Sequence, residues 1–174
     1  MSFVVTRFDP TAKYAGYNKF DCQHPRINKF VKDSLKKQVK QGLSVAYALL
    51  EEGNDANPGD RFVGFFTIAN HAIPLASLSA LQLGSLPKVI PCVRLIMLGV
   101  NHTDAGNGLG KQLMNHAFDI TKSAASQIGC LGMYLDADAG AVLKGFYKKL
   151  GFHFLDGDKS PNSSPMFISI SAIS

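Results

Sequence analysis

Residues 98–113 read LGVNHTDAGNGLGKQL: an apolar strand runs into a loop with glycines at 106, 108 and 110, and a helix begins at once. Unpaired backbone N–H groups at the positive N-terminus of that helix converge on one spot. Such a spot is an anion site, and phosphate is its usual ligand. A flexible turn with close glycine packing has the same spacing, so the motif alone does not decide between the two.

Two other phosphate-binding motifs with similar glycine spacing are disfavoured. A P-loop needs Ser or Thr after its Gly-Lys pair, whereas Gln112 follows Lys111. A dinucleotide-binding fold has its glycine turn after the first strand of a parallel sheet, whereas antiparallel patterning precedes this loop. The loop therefore indicates a different class of fold.

The flanking sequence predicts a mixed sheet covered by helices, in a single domain over residues 1–174. Antiparallel strand patterns fill the first half, and strands interleaved with helices fill the second. The predicted strands are 3–7, 44–50, 62–69, 92–100, 130–135, 152–155 and 166–173. The predicted helices are 26–41, 76–83, 110–128 and 138–150, and a polar turn precedes the last strand.

Composition excludes several classes of protein. Hydrophobic residues make up 46% of the chain and charged residues 18%, which argues against disordered, collagen-like and coiled-coil classes. The three cysteines form no C-x-x-C pair, so neither a disulfide framework nor a zinc site is expected. We find neither a secretory signal nor a membrane span, and we expect a cytoplasmic protein with reduced thiols.

The excess positive charge lies on one predicted helix. The chain carries a net +5, and residues 26–40 alone hold six cations and one acid. The six cations form one stripe: Arg26, Lys29, Lys32, Lys36, Lys37 and Lys40. A charge run is ordinarily a solvated face. A stripe that contacts phosphates would bind RNA with strong salt dependence, and contact with an acidic protein segment would look the same from sequence.

Several segments resemble one known family. The run L-G-V-x4-A-G-x-G-x-G-x-x-L at 98–113, the strand MYLDA at 133–137 and FYKKLGF at 146–152 resemble the coenzyme A site of GNAT-superfamily N-acetyltransferases. Within that superfamily, FDCQ at 20–23, INKFV at 27–31, SVAYALL at 44–50 and PMF at 165–167 are similar to the GNAT toxins of bacterial type II toxin–antitoxin systems. The resemblance spans nearly the whole chain.

This resemblance implies a fold and an activity. The implied fold is the α+β acyl-CoA N-acyltransferase fold, a mixed and mostly antiparallel sheet of six to seven strands with splayed central strands and about four helices. The implied activity is acetyl transfer from acetyl-CoA, without a metal, to the free amine of aminoacyl-tRNA, which blocks translation. The implied partner is a small DNA-binding antitoxin, a homodimer is compatible with the family, and no membrane partner is expected.

The family's functional residues map onto numbered positions. The implied acetyl-CoA contacts are Leu98, Gly99, Val100, Ala105, Gly106, Asn107, Gly108, Leu109, Gly110 and Lys111. Tyr147 is the implied general acid that protonates the departing thiolate. The amine attacks the thioester directly. RNA contacts are expected from Arg26, Lys29, Lys36, Lys37 and Lys40.

Three positions depart from the family's pattern. Ala105 stands where Gln or Arg is usual, Met97 where Arg is usual, and Gly99 where Ala is usual. Asp136 and Asp138 end a strand near the expected thioester, where helix capping competes with a role as base. We therefore expect the substrate amine to lose its proton to water or to arrive neutral.

Two alternative functions remain open at this point. The first is a GNAT enzyme that acetylates a protein N-terminus, a lysine or a small polyamine. The second is a non-catalytic protein of the same fold that binds RNA or a partner, which Ala105 and Met97 suggest.

Overall fold

The computed structural model describes residues 2–56, 58–81, 84–138, 141–155 and 163–173. Its strands are β1 (Phe3–Arg7), β2 (Val45–Glu51), β3 (Arg61–Pro74), β4 (Val89–Val100), β5 (Gly132–Asp138), β6 (His153–Phe154) and β7 (Ser163–Ser169). They form one sheet in the order β1-β2-β3-β4-β5-β7-β6. The β4–β5 pair is parallel, and the β1–β2, β2–β3, β5–β7 and β6–β7 pairs are antiparallel.

Helices account for most of the remaining described residues. The α-helices are α1 (Pro25–Asp33), α2 (Leu35–Lys40), α3 (Leu109–Gln127) and α4 (Ala141–Lys149). Short 3-10 turns occupy Tyr17–Lys19, Leu75–Leu81, His102–Asp104 and Ile170–Ala172. The predicted fold class, a mixed and mostly antiparallel sheet with about four helices, is confirmed. Within the described ranges, no helix combines the length and hydrophobicity that crossing a membrane would need.

The basic helix predicted over 26–41 is divided in two. Ser34, at φ −127° and ψ −33°, ends α1 and precedes α2. A serine hydroxyl competes with the backbone for hydrogen bonds, which makes serine a weak residue inside a helix. The outer boundaries agree with the prediction, since Pro25 occupies the first turn and Gly42 follows the C-terminus with φ 72°.

Other boundaries also differ from the sequence prediction. β3 extends to Pro74 instead of residue 69. The last strand covers Ser163–Ser169 instead of the predicted 166–173. Its ladder with β5 begins at the pair Asp138↔Ser163 and ends at Gly132↔Ser169, so the chain leaves the sheet after residue 169. The predicted helix over 76–83 is a 3-10 turn as far as Leu81. Residues 82–83, 139–140 and the predicted polar turn at 156–162 lie outside the described residues.

The central strands splay as expected. The parallel ladder between β4 and β5 covers only the pairs Val93↔Met133, Arg94↔Tyr134 and Leu95↔Leu135. Both strands continue beyond it, β4 to Val100 and β5 to Asp138. The C-terminal part of β5 instead pairs with β7 on its other side.

The chain divides into two compact units. The first comprises residues 1–69 and 97–117, and the second comprises residues 70–96 and 118–174. In the first, aromatic rings pack between α1 and the sheet, with Phe62 in contact with Phe8, Tyr17, Phe20 and Phe65. The assignment of all 174 residues to one domain stays a prediction.

The second unit has its own apolar core. Ile73, Ile90 and Phe167 are among the buried side chains of one cluster. On α4 and the segment after it, Tyr147 and Phe152 pack edge to face with ring centroids 5.7 Å apart. Gly151, at φ 106°, ends α4 as predicted.

A substitution at Gly132 tests how tightly the second unit is packed. A Cβ at position 132 would lie 2.0 Å from the backbone oxygen of Ile168, so Gly132→Ala should destabilise the fold by about 3 kcal/mol. Gly145→Ala is the matched control, because a Cβ there meets nothing within 4 Å and alanine favours the helix by up to about 1 kcal/mol. Urea denaturation measures both, and equal midpoints for the two variants would contradict the packing.

Candidate active site

The glycine-rich loop is open on its outer side. Gly106 and Gly108 have φ 84° and 72°, a backbone conformation that other residues rarely adopt. A Cβ at either position would meet nothing within 4 Å, so the space beside the loop is empty. Leu109 is buried and anchors the start of α3 beneath it. The loop therefore presents backbone, not side chains, to its surroundings.

Consecutive backbone N–H groups along this loop have no acceptor among the described residues. In the described chain, the N–H groups of residues 106–111 donate to no other residue, and the first bond of α3 runs from Gln112 N to Gly108 O at 3.1 Å. Unsatisfied donors at a helix N-terminus favour an anion. The loop therefore has the unbonded donors that the predicted anion site would need, and Lys111 adds a cation in the same helical turn. The anion site itself stays a prediction.

The strand that leads into the loop passes close to its neighbours. A Cβ on Gly64 of β3 would lie 2.8 Å from the backbone oxygen of Gly99. A Cβ on Gly99 would lie 3.0 Å from Ile27 Cγ2 and 3.4 Å from Phe20. Ile27 therefore fills the space that the family's usual alanine would need, which explains this departure.

Tyr147 lies in the second unit, on α4. Its ring is buried, 8% exposed, between Phe146 and Phe152. These aromatic neighbours hold the ring of Tyr147, the proposed general acid, in place. The glycine-rich loop belongs to the first unit.

The cationic residues expected to bind RNA lie on α1 and α2. A groove of about 500 Å³ is lined by Lys32, Asp33, Lys36, Lys37, Lys40 and Gln41. Lys29 lines a second groove, together with Tyr17 and Phe20, and forms an exposed ion pair with Asp33 at 2.6 Å. Lys36 Nζ lies 4.5 Å from the centre of the Tyr17 ring. Lys32, which the sequence analysis does not place among the RNA contacts, also lines the first groove.

Comparisons with known proteins identify the family. No protein-family model matches the chain. A solved structure described as a bacterial toxin superposes with a TM-score of 0.87 at 32% identity, and the match covers 98% of this chain and 92% of that one. AtaT complexed with acetyl-methionyl-tRNAfMet superposes with a TM-score of 0.83 at 25% identity, covering 98% of this chain and 96% of that one. The chain belongs to the GNAT toxins.

Two further matches agree with this family. AtaTR bound with acetyl-CoA superposes with a TM-score of 0.80 at 26% identity, covering 98% of this chain and 95% of that one. A curated tRNA-acetylating toxin from Mycobacterium tuberculosis is 24% identical over 118 residues, which are 68% of this chain and 67% of that protein.

In this GNAT toxin, one arginine fixes the loop to the sheet. Arg61 on β3 donates from Nη1 and Nη2 to the two carboxylate oxygens of Asp104, at 2.9 and 2.8 Å. Its Nε donates to Glu51 Oε2 on β2 at 2.6 Å. These hydrogen bonds hold the pKa of Asp104 below its usual value and raise that of Arg61, despite the partial burial of both groups. Sequence analysis missed this contact because 43 residues separate the partners.

Backbone bonds complete the anchoring of the loop. Asn101 N donates to Val63 O at 2.7 Å, and His102 N donates to Asp21 O at 2.8 Å. Asn107 Nδ2 donates to the backbone oxygen of Asp104 at 3.0 Å. The toxin therefore holds both sides of the loop before any ligand binds.

A polar cluster in the second unit also escaped sequence analysis. Asp136 accepts from Arg94 Nη2 at 3.2 Å and from the Tyr134 hydroxyl at 2.8 Å. His71 packs on the Tyr134 ring with centroids 4.9 Å apart. Only the β4–β5 register, which pairs Arg94 with Tyr134, brings Arg94 and Asp136 together. The side chain of Asp138 lies outside the described part of the chain.

The cysteines are not suited to nucleophilic catalysis. Burial raises the pKa of each thiol, to about 12 for Cys92, which keeps the sulfur protonated at neutral pH. All three are free thiols, as predicted.

Arg61→Lys tests the anchor of the loop. Lysine keeps the charge but loses the two-pronged contact with Asp104, so we expect a loss of about 2 kcal/mol in unfolding free energy. Because the loop is then less ordered, acetyl-CoA should raise the melting temperature of this variant less than that of wild type. Arg7→Lys, on the exposed end of β1, is the control. Equal stability of the two variants would refute the anchoring role.

Proposed function

We propose that this protein is an acetyl-CoA-dependent N-acetyltransferase that acetylates the free amine of aminoacyl-tRNA and so blocks translation. The observation that carries the proposal is the run of unbonded N–H groups at residues 106–111, in a chain that belongs to the GNAT toxins. The complex of AtaT with acetyl-methionyl-tRNAfMet and the tRNA-acetylating toxin of Mycobacterium tuberculosis support this proposal.

Acetyl-CoA is the cosubstrate, and no metal is required. Its pyrophosphate accepts hydrogen bonds from the loop, where the helix dipole of α3 adds to the attraction. Its pantetheine arm pairs with the backbone of Leu98, Gly99 and Val100, as an added strand would. Ala105 contributes its backbone alone. Because Arg61 fixes the loop beforehand, little ordering accompanies binding.

Chemistry proceeds by direct attack of the amine on the thioester. Tyr147 donates a proton to the departing thiolate, which prevents a strongly basic sulfur from leaving as an anion. No covalent enzyme intermediate is needed, in keeping with the raised pKa of the thiols. Backbone N–H groups stabilise the oxyanion that forms during attack.

The lysine groove on α1 and α2 supplies the affinity for RNA. Lys32, Lys36, Lys37 and Lys40 line it together, and Asp33 is already paired with Lys29. Such a surface binds phosphates without reading sequence. Arg26 and Lys29 extend the same stripe along α1. We further propose that the protein acts in the cytoplasm, where charged tRNA is found, and that a small DNA-binding antitoxin is its protein partner.

Tyr147→Phe tests the enzymatic assignment. Loss of the proton donor should lower the rate of acetyl transfer from radiolabelled acetyl-CoA to aminoacyl-tRNA by about 10²–10⁴-fold. Expression of this variant should also no longer inhibit growth. Tyr47→Phe, a half-buried tyrosine stacked on Phe66, is the matched control and should keep wild-type activity.

Two results would contradict the proposal. Wild-type turnover by Tyr147→Phe would remove Tyr147 from catalysis. Equal turnover with free amino acids or polyamines in the absence of RNA would favour an acetyltransferase of another substrate class. If acetyl-CoA fails to raise the melting temperature of the wild-type protein, the non-catalytic alternative is favoured over both enzymes.

Neutralising the groove should weaken RNA binding alone. The triple change of Lys36, Lys37 and Lys40 to Gln removes three phosphate contacts, so the plot of log affinity against log salt should become shallower by about 2. The control is a triple variant that removes the same charge elsewhere in the chain: Lys13→Gln, Lys88→Gln and Lys122→Gln. Filter binding of aminoacyl-tRNA measures the slope, and acetyl-CoA affinity should stay unchanged. An unchanged slope would remove the groove from the RNA site.

A further inference from the structure

Four side chains from adjacent strands form one polar cluster in the second unit. His71 comes from β3, Arg94 from β4, and Tyr134 and Asp136 from β5. Asp136 holds the centre, since it accepts from both Arg94 and the Tyr134 hydroxyl, while His71 covers the Tyr134 ring. Asp136 is also the first residue of β5 beyond its ladder with β4, at the point where the splay begins.

The central carboxylate has room for another donor. A carboxylate offers about four acceptor positions, and two of those of Asp136 are filled by Arg94 and Tyr134. Its side chain is 28% exposed, so a small group can approach it from solvent. A primary amine, with two or three N–H donors, fits the positions that no described residue fills.

The imidazole beside it is suited to accept a proton. Burial and the Arg94 guanidinium lower the pKa of His71, and the Asp136 carboxylate opposes them. His71 is therefore neutral over a wider pH range than an ordinary histidine. Its titratable and charged neighbours are Arg94 on β4 and Tyr134 and Asp136 on β5. Burial and Asp136 raise the pKa of Tyr134 to about 12, so its hydroxyl stays a donor.

Competing bases in the same unit are less suitable. Tyr147, the proposed general acid, belongs to this unit. Of the histidine and carboxylate side chains that the structure describes there, His153 and Asp119 are exposed, whereas His71 and Asp136 are half-buried. Partial burial reduces contact with water and so strengthens the interaction between an amine and these two groups.

We propose that this cluster is the acceptor-amine site of the enzyme, in which Asp136 binds the ammonium group of the aminoacyl-tRNA and His71 takes its proton. This inference rests on the proposed function and replaces the expectation that the amine loses its proton to water or arrives neutral. Arg94 and Tyr134 are positioning residues that orient the Asp136 carboxylate. The positive charge of Arg94 also favours the neutral form of the bound amine.

The proton and electron pairs balance in this scheme. The ammonium group gives one proton to Nε2 or Nδ1 of His71, and the freed lone pair forms the C–N bond to the acetyl carbon. The C–S bond then breaks with its electron pair on sulfur, which receives a proton from Tyr147. The second amine proton leaves with the collapse of the intermediate and restores the Tyr147 phenol through solvent. His71 releases its proton to solvent.

The pH dependence of His71→Gln tests the scheme. In the wild type, kcat/KM should fall at low pH only as His71 becomes protonated. That fall should lie below the ordinary histidine pKa of about 6.5. In His71→Gln, only amine that is already neutral can react. The acidic limb should therefore move up towards the pKa of the amine, about 7.7, and the rate at neutral pH should fall about 10²-fold. The probe is bulk aminoacyl-tRNA with radiolabelled acetyl-CoA.

Three further variants separate chemistry from folding. His116→Gln is the matched control, because this half-buried ring also packs on an aromatic neighbour, Tyr47, with centroids 5.1 Å apart. It should keep the wild-type pH profile. His71→Ala should regain activity when imidazole is added to the buffer, which a purely structural role would not allow. Asp136→Asn should raise KM for aminoacyl-tRNA, with an unchanged melting-temperature rise on acetyl-CoA binding.

The outcomes distinguish this inference from the proposed function. An active wild type whose acidic limb and rate are unchanged by His71→Gln overturns the acceptor-amine site and leaves the proposed function intact. A His71→Gln variant that does not fold shifts the decision to Asp136→Asn, whose unchanged KM would overturn the site. A wild type that acetylates no RNA overturns the proposed function, and the inference with it.

Discussion

The guanidinium of Arg61 is the contact on which the candidate cosubstrate site depends. It bonds to β2 through Glu51 and to the loop through Asp104, and thereby joins the sheet to the backbone that presents the free N–H groups. A largely buried carboxylate such as Asp104 is costly to desolvate unless a well-aligned cation faces it. The two-pronged geometry meets that requirement, and it also fixes where the loop leaves β4. A loop without this constraint would lose conformational entropy whenever an anion bound.

Local signals in the sequence were sufficient for most of the helices and strands and for the glycine-rich loop. Glycine spacing over 106–110 predicted the loop, and Pro25 and Gly42 marked the outer ends of the basic helical region. Contacts between residues far apart in the sequence leave no local sequence pattern, so they could not be predicted in this way. The break at Ser34 and the extension of β3 to Pro74 depend on tertiary packing, which overrides local propensity. The His71 cluster draws on three strands and becomes visible only once their register is known.

The distribution of charge argues that the basic stripe serves binding and not stability. The exposed pair of Lys29 and Asp33 adds little to folding, since such pairs contribute about 0–1 kcal/mol. The four lysines along the neighbouring groove repel one another in the free protein. A polyanion relieves that repulsion when it binds. The electrostatic repulsion among the lysines therefore destabilises the free protein and favours binding of the partner. The stripe holds the whole net charge of the molecule, and the remaining surface is balanced.

The close approach of Gly64 to the backbone of Gly99, and of Gly99 to Ile27, also constrains how this chain can change over time. A methyl group on Gly99 requires the Ile27 side chain to shift or to become smaller, and one on Gly64 requires the β4 backbone to move. Positions 27, 64 and 99 are far apart in the sequence, but substitutions at them are therefore expected to be coupled. Homologues that carry alanine in the strand should carry a smaller residue than isoleucine on α1, and directed evolution of this site should randomise the three positions together.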